Sequence, residues 1–196
     1  MKYSFYALIS RMKNITRWSL MRNSFLENVQ EHSHMVAVIA HSLAVIRQEV
    51  FGIPCDADRA ASAALFHDAS EIFTGDMPTP IKYFNPEIMT AYKQVEELAS
   101  EKLVSTLPKE LQGAYRQLLL CEDEDIERIV KAADKLSAYI KCLEELKSGS
   151  CEFKLAAEQT LGKLKGLNMP EVEYFMEHFI PAFELTLDEL NFTNKE

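Results

Sequence analysis

Four residues that are far apart in the sequence have side chains able to bind one metal ion. His67 and Asp68 are adjacent, His32 lies upstream and Asp134 lies downstream. Two neutral imidazoles and two carboxylates form a mixed nitrogen and oxygen ligand set, which suits a divalent cation such as Mn, Co, Fe, Ni or Zn, whereas softer metals favour thiolates. A histidine-aspartate doublet alone is common as a solvated or internally satisfied pair. Together, the four residues predict a shared cation, because three separate segments each place a polar group on or near an apolar helical face.

Glu71 follows the doublet at a spacing that could bring it to the same pocket. Four residues make just over one helical turn, so His67 and Glu71 would face the same way, with Asp68 rotated by about 100°. A carboxylate on an apolar face is costly unless it is paired or bound to a metal. For Asp68 and Asp134 taken singly, an N-cap, a surface salt bridge or a partly exposed helix edge remains the alternative explanation.

Arg17 and Trp18 lie in a stretch without a clear helical stripe. A guanidinium there could bind a phosphate through two hydrogen bonds, and the indole could lie against a sugar or base. A surface arginine beside a core tryptophan explains the pair equally well. The segment 76–80, Asp-Met-Pro-Thr-Pro, contains two prolines with fixed φ, which is typical of a rigid ligand-positioning loop and equally of a helix terminator.

Helical periodicity runs along the chain, and no alternating strand pattern of useful length lies between turn signals. We therefore predict an all-α fold. Asn28 and Glu31 have the spacing of a capping box, which predicts a helix that begins just before His32 and ends at Gly52. The other predicted helices are 60–73 carrying the doublet after a cap at Asp56, 85–106, a shorter one from 108, 125–147, 153–164 and one from 170 that Pro181 interrupts.

The composition predicts a folded protein with a single domain over residues 1–196. Hydrophobic residues make up 47% of the chain and only six residues are glycine, which argues against a disordered or fibrous class. The net charge of −9 argues against a nucleic-acid polymer or a membrane surface as partner. Because the chain has no membrane-length apolar run and no cleavage signal, we expect a cytoplasmic protein. Its four cysteines form no CxxC pair, so we expect reduced thiols.

These motifs together resemble the HD-domain phosphohydrolases, whose signature is the order histidine, histidine-aspartate, aspartate across three helices. The narrower resemblance is to the bacterial 5'-deoxynucleotidase family, and it extends over nearly the whole chain. It implies a single-domain helical bundle of the HD type. The matching segments are Arg-Trp at 17–18, ENVQEHS at 27–33, HDASE at 67–71, TGDMPTP at 74–80, Ala-Asp at 133–134, KCLEEL at 141–146 and Tyr-Phe-Met at 174–176.

The resemblance implies a ligand set, a substrate and a quaternary state. One divalent transition metal, which would be Co, Mn, Cu, Zn, Ni or Fe, would be bound by His32, His67, Asp68 and Asp134. The substrate would be a deoxyribonucleoside 5'-monophosphate, hydrolysed to the deoxynucleoside and phosphate with little choice of base. The protein would form a homodimer.

The resemblance also implies roles for individual side chains. Glu71 would act on the attacking water, and either Asp68 or solvent would protonate the leaving oxygen. Arg17 would hold the phosphate or help to sense the 2'-position, and Trp18 would pack on the sugar. The full set of implied substrate-binding residues is Arg17, Trp18, Asp68, Asp76, Met77, Pro78, Thr79 and Asp134.

The chemistry of the proposed reaction fits such a site independently. Phosphomonoester hydrolysis is intrinsically very slow, so a site must neutralise the phosphate charge and supply a nucleophile near neutral pH, and a bound cation does both. The alternatives are an HD-domain hydrolase of another nucleotide ester, such as a dNTP or a cyclic dinucleotide, a non-catalytic nucleotide sensor, and a helical scaffold with accidental histidines. Glu71 argues against the sensor, because a sensor needs no acid that activates water.

Overall fold

A computed structural model describes residues 2–82 and 84–192. Over these residues the fold is all-α, as predicted: no strand forms, and the only β-type pairing is an isolated bridge between Thr16 and Asn28. Single 3-10 turns occur at Met12–Asn14, Cys151–Phe153 and Ile180–Glu184. The α-helices are α1 (Phe5–Ile9), α2 (Val29–Glu49), α3 (Ala57–Ala64), α4 (Glu71–Thr74), α5 (Thr79–Lys82), α6 (Pro86–Val104), α7 (Lys109–Leu120), α8 (Glu124–Lys147), α9 (Lys154–Lys165), α10 (Pro170–His178) and α11 (Leu187–Phe192).

The predicted capping box forms at the start of α2. The Asn28 side chain accepts a hydrogen bond from the Glu31 backbone N–H at 3.0 Å, and the Glu31 carboxylate accepts one from the Asn28 backbone N–H at 3.4 Å. Each bond satisfies an N–H that would otherwise lack a partner. The cap fixes where the helix begins, and His32 consequently lies in the first turn with its side chain buried.

Two apolar clusters hold the elements that carry the polar residues. The larger cluster joins α2, α3, α8 and α10, with fully buried side chains such as Leu43, Ile129 and Leu136. The smaller one joins α1, the end of α6 and Val29 around Ala69, which is completely buried. Because Ala69 directly follows the histidine-aspartate doublet, the smaller cluster anchors that doublet against the larger core.

The prediction of one continuous helix over 60–73 is wrong. The helix α3 ends at Ala64, and 65–70 form tighter turns, in which the bonded N–H groups from Phe66 onward reach three residues back. A local cause is the His67 side chain, whose Nδ1–H donates to the Ala64 carbonyl oxygen at 2.7 Å. A continuing helix would use that oxygen to accept from the backbone N–H of Asp68.

The predicted loop over 76–80 is also shorter than expected. Gly75 ends α4 with a φ of 72°, a backbone conformation that favours glycine. The irregular segment then covers only 75–78, because α5 begins at Thr79. The other predicted helices agree with the structure to within a few residues at their ends, including the break after α10 before Pro181. Among the described helices, none combines the length and the hydropathy needed to cross a membrane.

Candidate active site

The structure brings the four predicted metal ligands together at the junction of α2, the 65–70 turns and α8. Donor atoms of His32, His67 and Asp68 all lie within 4.8 Å of one another. Asp68 Oδ2 is 3.1 Å from His67 Nε2 and 3.6 Å from His32 Nε2. Asp134 Oδ1 reaches the cluster from α8, at 3.1 Å from His32 Nε2. These four residues are called the HD cluster below.

The far side of each imidazole is held by the protein, so that both Nε2 atoms point into the HD cluster. His67 Nδ1 binds the Ala64 carbonyl oxygen, and His32 Nδ1 lies 3.2 Å from Ser137 Oγ. A histidine that binds a metal through Nε2 carries its proton on Nδ1 and donates it to such a partner. His67 Nε2 is buried and has no hydrogen-bond partner. Asp68 Oδ2 lies 3.1 Å from this nitrogen without a hydrogen bond between them, and an imidazole nitrogen facing carboxylates in this way fits a divalent transition metal.

The electrostatics of the HD cluster also fit a cation. Burial opposes ionisation of Asp68, but the adjacent His67, His32 and Arg17 outweigh it and hold the pKa of Asp68 far below its usual range. Burial likewise raises the pKa of Asp134, yet the two histidines lower it to about 2. Burial lowers the pKa of His67, while the charges of Asp68 and Asp134 raise it to about 8. Both carboxylates are therefore anionic at neutral pH, and they place two negative charges beside the imidazoles.

Glu71 is buried beside the HD cluster at the start of α4. Its side-chain atom Oε2 has no hydrogen-bond partner. Burial, and then the negative charges of Asp68 and Asp76, raise the pKa of Glu71 to about 9, against the opposing effect of Arg17 and Lys82. An acid with a strongly raised pKa in a buried polar cluster is typical of a residue that exchanges protons during a reaction.

Arg17 and Trp18 meet the same cluster through the segment that precedes α2. Arg17 Nη1–H donates to Asp68 Oδ2 at 3.3 Å, and Arg17 Nε–H donates to Glu27 Oε2 at 3.2 Å. Trp18 Nε1–H donates to that same Glu27 oxygen at 3.2 Å, and its ring packs on Phe153 with centroids 5.4 Å apart. Arg17 therefore contacts the HD cluster directly and is not a surface arginine, since its side chain is only 12% exposed, and Trp18 is linked to it through Glu27.

The segment 75–78 faces Arg17 and Trp18. The pKa of Asp76 is raised, because burial and the charge of Asp68 outweigh the charge of Arg17 and a hydrogen bond from the Trp18 backbone N–H, so the carboxyl group lies beside the Trp18 backbone. Met77 and Pro78 are partly buried in the irregular segment that follows. The side chain of Thr79 lies outside the described part of the chain.

Of the other histidines, His34, His41 and His178 are exposed and lie outside the HD cluster.

Comparison with known proteins decides the family. The model of the 5'-deoxynucleotidase YfbR-like family matches residues 4–183. The chain belongs to this family. A 5'-deoxynucleotidase from Pectobacterium atrosepticum is 50% identical over 95% of this chain and 95% of the relative. One from Vibrio vulnificus is 48% identical over 95% and 97%, and one from Escherichia coli is 49% identical over 95% and 95%.

Solved structures place this family member among the HD-domain phosphohydrolases. One from Listeria innocua has a TM-score of 0.80 and 27% identity, covering 92% of this chain and 88% of the other. A cyanophage S-2L HD phosphohydrolase, solved with dA and one catalytic Zn²⁺ ion, has a TM-score of 0.66 and 19% identity over 93% and 99%, and it shares the fold. The predicted resemblance and the predicted fold class are both confirmed.

Two residues that contact the site, and two that hold the segment before α2, were not among the candidates taken from the sequence. Ser137 lies three residues after Asp134 and therefore on the same face of α8, so the spacing could have identified it. Glu27, which accepts from Arg17 and Trp18, was noted only as part of the ENVQEHS segment. Lys141 and Glu145 lie in the KCLEEL segment, and their (i, i+4) spacing is also that of an ordinary surface pair. Only the fold reveals that this pair is buried.

Proposed function

We propose that this protein hydrolyses deoxyribonucleoside 5'-monophosphates to a deoxynucleoside and phosphate, with the HD cluster holding a divalent metal and the Glu71 carboxylate serving as the general base. The activity predicted from the sequence is confirmed by the 5'-deoxynucleotidases that match nearly the whole chain. The observation that supports the assignment of residues is the buried pair of unpartnered atoms, His67 Nε2 and Glu71 Oε2, beside two anionic carboxylates.

The residues of the HD cluster supply the metal site. His32 and His67 would bind through Nε2, and Asp68 and Asp134 through carboxylate oxygens. A bound divalent cation polarises a phosphoryl oxygen and lowers the pKa of water toward about 7. The mixed donor set accepts Co, Mn, Cu, Zn, Ni or Fe, and elemental analysis of the purified protein identifies which one it carries.

Glu71 and Arg17 then handle the proton and the phosphate. With a pKa of about 9, Glu71 carries a proton at neutral pH, and a divalent cation beside Asp68 would offset the negative charge that raises this pKa. Its Oε2 is free of protein hydrogen bonds, so the ionised carboxylate could then orient the attacking water toward phosphorus and accept its proton. Arg17 lies between Glu27 and Asp68, with its guanidinium at the edge of the HD cluster. From there it can donate to phosphate oxygens and stabilise the charge that builds up on them in the transition state.

Selection of the sugar falls to Trp18 and to the segment 76–79. The indole of Trp18 and the carboxyl group of Asp76 lie next to Arg17, so a phosphate held by Arg17 places its sugar against them. Met77 and Pro78 follow Asp76 in the irregular segment and are partly buried, so they extend this wall. An additional 2'-hydroxyl on the sugar would meet this wall, and we propose that the wall favours deoxyribose over ribose.

We further propose that the protein is a cytoplasmic homodimer. Three apolar side chains, Met35, Val38 and Val45, are exposed along one face of α2, between 38% and 52% of their reference areas. Burial of such a stripe by a second copy would remove apolar surface from water. Light scattering at several protein concentrations tests this, and a monomer at all of them contradicts it.

The decisive assay compares phosphate release from dAMP, AMP, dATP and a cyclic dinucleotide by the metal-loaded protein. We expect dAMP to be hydrolysed with the highest kcat/KM. Preference for dATP or the cyclic dinucleotide would instead support a different HD-domain hydrolase. If dAMP binds together with stoichiometric metal but stays intact through prolonged incubation, the protein is a nucleotide sensor and the proposal is wrong.

A further inference from the structure

One carboxylate oxygen links the two side chains that are proposed to contact the substrate. Glu27 Oε2 accepts from Arg17 Nε–H and from Trp18 Nε1–H, each at 3.2 Å. The side chains of Arg17 and Glu27 are only 12% and 16% exposed, so water competes weakly for these bonds. The Glu27 carbonyl oxygen also accepts from the Arg17 backbone N–H at 2.9 Å. Glu27 therefore fixes both the backbone and the side chains of this pair.

We infer that Glu27 is a positioning residue that holds the Arg17 guanidinium and the Trp18 indole as one unit, and that this unit sets the discrimination between deoxyribose and ribose. The inference rests on the proposed function, because it assumes that Arg17 meets the phosphate and Trp18 the sugar. It adds a residue that itself contacts neither.

The backbone of Trp18 shows why such a constraint is needed. Its φ of 56° is in the left-handed region, which is uncommon for a large aromatic residue. Strained backbone of this kind persists only where several contacts determine it, and it concentrates at functional sites. Here the Trp18 carbonyl oxygen accepts from Asn23 Nδ2–H at 3.2 Å, the ring packs on Phe153, and the ring N–H is fixed by Glu27.

A shared charged acceptor suits this task better than two separate neutral ones. Arg17 Nε is held by Glu27 while Nη1 is held by Asp68, so the plane of the guanidinium is set from two directions. Because the same Glu27 oxygen binds the indole, a displacement of Trp18 weakens its bond to the carboxylate that orients Arg17. To reject a ribonucleotide, which has one additional hydroxyl group, the pocket must be rigid, because a flexible pocket can adjust to a slightly larger substrate.

The test compares Glu27→Ala, Glu27→Gln and the control Glu152→Ala. Glu152 is a matched control, because its carboxylate accepts from the Arg22 backbone N–H at 2.8 Å and so secures the same segment without contacting Arg17 or Trp18. The ratio of kcat/KM for dAMP to kcat/KM for AMP is measured for each. We expect Glu27→Ala to lower this ratio about tenfold, the loss of roughly one charge-assisted hydrogen bond. Glu27→Gln, which keeps an acceptor, should lower it less, and Glu152→Ala by less than twofold.

A second readout does not depend on activity. Trp18 is the only tryptophan in the chain, so intrinsic fluorescence reports on this side chain alone. Glu27→Ala should increase acrylamide quenching and reduce the anisotropy of the emission, whereas Glu152→Ala should resemble the unmodified protein. If Glu27→Ala does not fold, the same two measurements on Glu27→Gln decide the matter.

The inference is overturned if the folded Glu27 variants slow dAMP and AMP by the same factor, or if Glu152→Ala lowers the ratio as much as Glu27→Ala. It is also overturned if the fluorescence of Trp18 is unchanged by loss of Glu27. Absence of dAMP hydrolysis by the unmodified protein contradicts the proposed function instead. In that case the fluorescence measurements still establish whether Glu27 holds the indole in place.

Discussion

The helix α8 carries two groups of buried charge that differ in how completely they are satisfied. Near its middle, Asp134 contributes to the HD cluster. Further along, Lys141 and Glu145 are 2% and 0% exposed and form an ion pair with Nζ and Oε1 2.5 Å apart. Lys141 Nζ also donates to the Phe25 carbonyl oxygen at 2.7 Å, and Glu145 accepts from the Ser24 backbone N–H at 2.8 Å.

The two groups contribute differently to the protein. Every charge of the Lys141–Glu145 pair has a protein partner, and the pair fixes the segment before α2 to α8. The HD cluster leaves His67 Nε2 without a hydrogen bond and crowds two carboxylates together, and nearby Glu71 Oε2 is unpartnered as well. A buried polar network that is closed within the protein supports architecture, whereas one that is left open costs stability and is retained for a ligand.

Removal of Asp134 should have the largest effect on the HD cluster. The substitution Asp134→Ala deletes one anionic ligand of a four-donor site, and we expect loss of the bound metal together with essentially all phosphate release from dAMP. The protein should remain folded, because the Asp134 side chain is 39% exposed and relieves carboxylate crowding when it is lost. Elemental analysis, dAMP hydrolysis and circular dichroism measure the three effects. Asp125→Ala on the exposed start of α8 is the control, and equal metal contents in the two variants would contradict the assignment.

The substitution Glu71→Gln separates metal binding by the HD cluster from proton transfer by the neighbouring carboxyl group. The amide preserves the shape of the side chain but cannot accept the proton of water. We expect metal content equal to that of the unmodified protein, with kcat for dAMP lower by a factor of about 10² to 10⁴. Stopped assays with dAMP and elemental analysis on the same sample provide both numbers. Loss of metal from this variant would instead make Glu71 a ligand.

Substitution in the Lys141–Glu145 pair should lower stability and leave the metal site in place. Glu145→Ala leaves the buried Lys141 without its counter-charge and the Ser24 N–H without an acceptor, so the free energy of unfolding should fall by about 3 kcal/mol or more. Urea unfolding with metal bound measures it. The control is Glu127→Ala, since Glu127 forms an (i, i+4) pair with Lys131 on the same helix but both side chains are largely exposed. That variant should lose no more than about 0.5 kcal/mol, and equal losses would refute the distinction.

The sequence predicted the HD cluster better than the Lys141–Glu145 pair, for a physical reason. Histidines and aspartates at apolar positions are conspicuous, because they violate the helical pattern, and the capping box at Asn28 fixed where His32 lies. Lys141 and Glu145 obey the usual spacing of a surface pair, so their burial depends on the packing of the segment before α2, which periodicity does not encode. The tight turns at 65–70 were missed because a side chain, His67, takes a backbone acceptor.

The smallest expected effect is the pH dependence of the stability that the Lys141–Glu145 pair provides. Burial raises the pKa of Glu145, but the hydrogen bonds from Lys141 and Ser24 outweigh it, and the pKa in the folded protein is below its ordinary value. A lowered folded-state pKa means that the stabilisation is fully present above the unfolded-state value of about 4.3 and is lost as the pH falls through the folded-state value. Glu145→Gln does not titrate, so the difference in Tm between it and the unmodified protein should be constant from about pH 6 to 8 and should narrow below about pH 4. A Tm difference that widens on acidification would show that Glu145 is protonated more easily in the folded protein than in the unfolded one. The Lys141–Glu145 pair would then not be fully ionised, and its contrast with the HD cluster would fail.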